Sequence, residues 1–217
     1  MRIAVLGASR HTGQSFVSQA LASNSDIELT ILARTPANLP FPEDQLSQIT
    51  VVQGDALNKN DVAKAINGAD IVLCSLGAKM DGFSKPVDMG VEESGIMNIL
   101  DIVKETRAGT PPRLIMVSST GVGTHNDVPW LMRPLYSLLL SAPHGHKARA
   151  EIAIKNSGVP YTLVRPAWLT NGDVTKTYRA GDGVRGYTVS RNDVAHFILN
   201  ECVLETKWVN ASPCIAY

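Results

Sequence analysis

Ile3-Ala4-Val5-Leu6-Gly7-Ala8-Ser9-Arg10-His11-Thr12-Gly13 is the stretch that decides how the rest of the chain reads. Four apolar residues run directly into a glycine, and a second glycine opens a helical pattern over residues 12–23 with Phe16, Ala20 and Leu21 on one face. A short apolar run buried on both faces is the mark of a parallel strand. A strand that turns straight into a helix needs Gly7, because a Cβ at the turn would clash. Gly13 lets the helix start pack closely and leaves its N–H groups open to an anion.

The alternation continues along the chain. Apolar runs at residues 28–33, 49–52, 71–74, 114–117 and 161–164 predict further strands. Helices are predicted between them at 61–66, capped by Asn60, at 87–106, at 148–156 ending on Ser157-Gly158, and at 193–203 after Arg191-Asn192. Strands and helices in strict turn imply a parallel sheet with right-handed crossovers and helices on both faces, that is, a doubly wound α/β fold. Residues 169–187, with Gly172, Gly181, Gly183 and Gly186 and little periodicity, read as a long loop near the strand ends.

Composition narrows the function. The 217 residues fit one domain. Twenty Lys and Arg against 20 Asp and Glu leave no formal net charge, and no segment concentrates the basic residues. A protein that relies on phosphate neutralisation is basic, so nucleic acid is not an expected partner. Three widely spaced cysteines, Cys74, Cys202 and Cys214, form no CxxC and predict neither a disulfide framework nor a metal site. The apolar start is too short for a signal peptide, and no segment approaches the ~20 apolar residues of a membrane span. The expected location is cytoplasmic.

Inside a βαβ unit, Gly7, Ser9, Arg10, His11, Thr12 and Gly13 form a candidate pyrophosphate loop. The second strand ends at Ala33-Arg34, about twenty residues past Gly13, where an NAD site places a carboxylate for the ribose 2′-hydroxyl. Arg34 stands there instead, followed by Thr35, and Arg10 lies within the loop. Guanidinium forks suit a 2′-phosphate, so the expected cofactor is NADP(H).

Beyond these two elements the chain resembles the atypical short-chain dehydrogenase/reductase superfamily. It is most similar to the small members typified by biliverdin reductase B/flavin reductase and by nitrogen-metabolite-repression regulators. The resemblance runs nearly end to end. It is carried by residues 7–13, 32–35, 54–55, 73–77, 117–120, 147–151, 157–166 and 193–195. It implies a single-domain Rossmann-type sheet over residues 1–217, with a small substrate-binding part from about residue 166.

The resemblance also implies roles. Asp55 and Ala56 would meet the adenine. Ser75, Leu76 and Gly77 would line the ribose and pyrophosphate. Ser118 and Ser119 would flank the nicotinamide, Lys147 would hold its ribose, and Pro166 and Ala167 would meet the carboxamide. The family's loop usually has a glycine where Arg10 stands, which would force Arg10 to adopt positive φ. The superfamily's proton-donating tyrosine, four residues before the lysine, is replaced by Pro143.

The expected activity is an NADPH-dependent reductase of a small planar or conjugated acceptor of the flavin, quinone or carbonyl class. Ser119, Lys147 and His146 are the candidate catalytic groups. The missing tyrosine keeps two rivals open: a module that senses NADPH against NADP without turnover, and a non-redox isomerase or cyclase. Trp130, Met132, Tyr136, Trp168 and Tyr178 are candidate walls for a planar substrate, and residues 80–83, flanked by Lys79 and Lys85, a candidate flap. A small-molecule substrate and a monomer or homodimer complete the expectation.

Overall fold

The structure, a computed structural model, describes residues 1–23, 25–77, 90–106, 109–123, 127–132 and 141–217. The candidate flap at 80–83 with its flanking Lys79 and Lys85, the segment 87–89 and Tyr136 lie outside the described residues.

The elements alternate as the sequence requires: β1 (Arg2–Leu6), α1 (His11–Ala22), β2 (Glu28–Ala33), α2 (Glu43–Leu46), β3 (Ile49–Gln53), α3 (Lys59–Ile66), β4 (Ile71–Cys74), α4 (Val91–Thr106) and β5 (Arg113–Val117). Then follow α5 (Ser141–Asn156), β6 (Tyr161–Pro166), β7 (Trp168–Thr170), β8 (Arg179–Gly181), β9 (Thr188–Ser190), α6 (Arg191–Phe197) and β10 (Cys214–Ala216). The main sheet has the order β3-β2-β1-β4-β5-β6-β10-β8. Every neighbouring pair in it is parallel except β10 with β8. The order reverses between β1 and β4, and ligands of open α/β sheets bind outside the strand ends at such a reversal.

Two-residue alternation sorts each strand onto two cores. Ile3 and Val5 of β1 face one layer, with Phe16, Val17 and Ala20 of α1 and Val194 and Phe197 of α6. Ala4 and Leu6 face the other, with Val62 of α3, Ile96 and Ile99 of α4 and Ile154 of α5. This two-sided burial explains why the strands read as unbroken apolar runs.

Several boundaries differ from the sequence reading. Asn58, not Asn60, caps α3: its backbone is extended and its side chain accepts the N–H groups of Asn60 and Asp61. Helix α5 begins at Ser141, so Pro143, His144 and His146 are helical rather than in a preceding loop. Proline fits there because the first-turn N–H groups have no intrahelical partner anyway. Helix α6 starts at Arg191 on a Ser190 cap and widens into a π-helix over Ile198–Leu204. The span 169–187 is not all loop. It carries β8 and most of β7, which pairs with β9 in a separate two-stranded sheet.

Asp193 organises this C-terminal region. It is fully buried, and its carboxylate accepts the Thr175 and Lys176 N–H groups at 2.9 Å and the Thr175 and Tyr217 hydroxyls at 2.6 Å. Burial pushes this carboxyl up, but those four donors outweigh it and hold it below the ordinary range.

Candidate functional site

The site lies where β1, β4 and β5 end. Gly7 leaves β1 with φ +91°, and a Cβ on it would lie 2.6 Å from the Ser75 carbonyl oxygen and 2.9 Å from the Leu76 nitrogen. A Cβ on Gly13 would collide with the Gly7 carbonyl oxygen. The two glycines therefore let three backbone segments meet: the loop after β1, the first turn of α1 and the strand exit after β4.

The backbone between them corrects one expectation. Arg10 is extended, with φ −154°, and it is His11 that takes the left-handed conformation, with φ +55°. In this loop without a middle glycine the strain falls one residue later. Histidine tolerates this region better than a β-branched residue does. Arg10 is the N-cap of α1 but makes no side-chain cap, and the first turn of α1 holds no acidic residue. The N–H groups and positive end of the dipole of a twelve-residue helix are left facing the strand ends. His11 and Arg10 are exposed beside them. Burial, with Arg191 and Arg10 nearby, holds the His11 imidazole below its usual pKa.

At the neighbouring strand ends, Arg34 is exposed just past β2. The next strand exit is built by Gly54, whose missing side chain leaves room for Asp61. Asp61 accepts the Asp55 N–H at 3.1 Å, while Asp55 itself accepts the Leu57 N–H at 3.0 Å. Ala56 is buried, and its carbonyl is held by the Asn98 amide at 2.8 Å. After β4, the Ser75 N–H bonds the Leu6 carbonyl at 2.8 Å, Leu76 sits over Gly95, and a Cβ on Gly77 would meet nothing within 4 Å.

The β5 end divides its two serines. The Ser118 hydroxyl turns inward to Glu151 at 2.6 Å, whereas the half-buried Ser119 hydroxyl donates to the Thr120 carbonyl at 3.1 Å. Glu151 is buried and also takes the Arg165 guanidinium. Arg165 in turn lies 4.0 Å from Asp127, which accepts the Gly121 N–H at 2.9 Å. The Lys147 ammonium reaches the Val117 and Ser118 carbonyls at 3.3 and 3.5 Å. Burial lowers its pKa and nearby Glu92 opposes the shift. The Pro166 carbonyl accepts the Thr120 N–H, and the Ala167 N–H donates to Ile215.

Lys147 thus reaches the backbone of the β5 end next to Ser119, and His146 turns elsewhere. Its Nδ1 faces Glu93 at 2.6 Å and Arg149 at 2.8 Å in the α4–α5 crossing. Pro143 stands one helical turn ahead of Lys147 on α5. Of the aromatic candidates, Trp130 and Trp168 are exposed, while the Tyr178 hydroxyl pairs with His196 Nδ1 at 2.9 Å. The sequence reading missed Glu92, Glu151 and Asp127. Their only signal was charge inside or beside apolar runs. Among the described residues no cluster could hold a metal ion, and no helix is long and apolar enough to cross a membrane.

The residues present fit a dinucleotide. Gly7 and Gly13 let the β1 loop, the α1 start and the β4 exit pack backbone to backbone, and an uncapped helix end stands over that junction, the arrangement that takes a pyrophosphate in dinucleotide folds. Comparison with known proteins agrees. The chain is similar to the reductase pytE of Aspergillus terreus, 29% identical over 266 aligned residues that cover 99% of this chain and 97% of that protein. Its fold is similar to a Veillonella parvula short-chain dehydrogenase/reductase solved with NADP, with TM-score 0.78, 20% identity, and 100% and 94% of the two chains covered. It is also similar to ChuY, an anaerobillin reductase of Escherichia coli O157:H7, with TM-score 0.73, 22% identity, and 100% and 97% covered. Residues 7–203, from the glycine loop through the helix that follows β9, match the NAD(P)H-binding family. The chain belongs to the NAD(P)H-binding family.

Proposed function

We propose that the protein is an NADPH-dependent reductase of a small planar or conjugated acceptor of the flavin, quinone or carbonyl class. The observation that carries the cofactor reading is the glycine cradle at the β1/β4 reversal, with Arg34 rather than a carboxylate at the end of β2. The reductase reading is supported by the likeness to pytE, and the NADP reading by the fold neighbour solved with that cofactor.

In this reading the bound NADPH supplies the hydride. The chain's own groups bind and orient. The first turn of α1 takes the pyrophosphate charge, and Arg34 and Arg10 take the 2′-phosphate. Lys147 adds positive potential at the β5 end, and the Ser119 hydroxyl is placed to polarise an acceptor. Residues from about 166 onward, with the exposed Trp168, offer an apolar wall to a planar ring. Pro143 has no proton to give, so in this account acceptor protonation comes from water. The same proline is the observation that favours the rival sensor without turnover.

Arg34→Ala tests the cofactor choice. Loss of one charge-assisted phosphate contact should weaken NADPH binding roughly 10- to 150-fold and leave NADH nearly unchanged. Titration of both cofactors decides it, and an equal loss for the two would remove Arg34 from the 2′-phosphate.

A further inference from the structure

A cleft of about 450 Å³ lies between α1, the segment that follows β7 and the start of α6. His11, Gln14 and Ser18 line it from α1, Asn171 and Asp173 from that segment, and Arg191 from α6. Residues three and four apart share one helix face, so the α1 side is a polar stripe about 10 Å long. Ser15 and Gln19 beside the stripe are spent on Asn192, at 2.6 and 3.0 Å. The side chains of His11, Gln14 and Ser18 have no hydrogen-bond partner among the described residues.

Arg191 is the cation of this cleft. Its guanidinium makes one hydrogen bond, from Nη1 to Asn171 Oδ1 at 2.8 Å, and its Nε is buried without a partner. It forms no ion pair among the described residues. Asp173, the carboxylate of the same lining, is exposed to water and does not reach it. Burial lowers the Arg191 pKa with no carboxylate to offset it. Elsewhere the chain compensates such groups: Arg165 sits on Glu151, and Arg113 donates to the Cys202 and Lys207 carbonyls and the Thr162 hydroxyl. A half-buried guanidinium short of acceptors, facing uncommitted amide and hydroxyl donors, is the lining that suits an oxyanion. The cleft also adjoins the candidate site. His11 belongs to the loop between Gly7 and Gly13, and Asn171 directly follows β7, which carries the exposed Trp168.

We propose that this cleft takes a carboxylate or phosphate borne by the acceptor, with Arg191 as its anchor and Gln14 and Ser18 donating beside it. This rests on the reductase reading and narrows its substrate class to acidic acceptors: a planar ring at Trp168 with an anionic tail along α1.

Matched ligands with and without the charge test it. Flavin mononucleotide against riboflavin is the phosphate arm, and 4-carboxybenzaldehyde against benzaldehyde is the carboxylate arm. Equilibrium binding to the NADP-loaded chain is measured first, because it needs no turnover. The acidic member of at least one pair should bind roughly tenfold tighter, as expected for one charge-assisted contact at a partly exposed site. Arg191→Gln removes the anchor, and Gln14→Glu sets a negative charge on the opposite wall. Each should cut the preference to within about twofold, and variants on two different elements guard against one that fails to fold. No preference in either pair would overturn the proposal, as would a preference that survives both substitutions. A loss in Arg191→Gln as large for NADPH as for the acidic ligand would assign Arg191 to the cofactor and overturn it too. The expected preference, with no reduction of any of the four ligands by NADPH, would leave the anion site standing and count against the reductase reading instead.

Discussion

Gly7→Val is expected to abolish NADPH binding and to destabilise the fold by about 3 kcal/mol or more. Two costs combine. The backbone at Gly7 has φ +91°, a conformation a β-branched residue strongly resists. The first atom of the new side chain would also sit 2.6 Å from the Ser75 carbonyl oxygen, which is backbone and has no rotamer to yield. The loop after β1 and the exit from β4 must then move apart, and the pyrophosphate cradle lies between them. For a chain of this size the melting temperature should fall by roughly 6–12 °C. Thermal melts and NADPH titration of the soluble variant check both halves. A folded Gly7→Val protein with unchanged NADPH affinity would place the dinucleotide elsewhere.

Glu151→Ala should be the most destabilising change away from the glycines. Glu151 is 3% exposed and accepts from Ser118 Oγ at 2.6 Å and Arg165 Nε at 3.0 Å, with Arg165 Nη2 on its other oxygen. Removing it leaves a largely buried guanidinium with Asp127, 4.0 Å away, as its remaining carboxylate among the described residues. Breaking a buried pair from one side costs about 3–5 kcal/mol because the surviving charge stays desolvated. The melting temperature should drop by roughly 6–20 °C. Salt should change this little, since buried pairs are weakly screened. Glu151→Gln should lose less, because it retains one acceptor for Ser118. An alanine variant that melts within a degree or two of the unaltered protein would show that Arg165 finds other partners at no cost.

The consequences of losing Glu151 reach the site. Asp127 holds the Gly121 N–H as well as facing Arg165, so the segment after β5 is anchored through the same chain of charges. Ser118, read from the sequence as a nicotinamide contact, is the inner end of that chain. Its side chain supports the β5 end from below, while Ser119 and the Lys147 ammonium present the polar groups beside it.

The long-range plan was legible because it rests on local signals. Apolar runs buried on both faces name the strands of a parallel sheet, and Gly7 and Gly13 name the turn that starts it. Other features were hidden because their causes are tertiary. Strand β10 is three residues long and exists because Cys214 and Ile215 pair with Arg165 and Pro166, far back in the chain. The left-handed residue of the loop fell on His11 rather than Arg10, because the helix must begin where Gly13 can touch the Gly7 carbonyl. Pro143 precedes the helix predicted over 148–156, yet it lies in the first turn of α5, where proline costs no hydrogen bond. Glu92 and Glu151 carry no burial signal of their own in the sequence, and only packing shows them to be buried.

NADPH-dependent reduction is decided by following reduced-cofactor consumption with flavins, quinones and conjugated carbonyls, NADPH and NADH in parallel. At least one acceptor should be reduced in step with NADPH oxidation, and NADH should serve it at least roughly tenfold less well at equal low concentration. Tight NADPH binding with no oxidation by any acceptor would contradict it and point to the sensor or the non-redox enzyme.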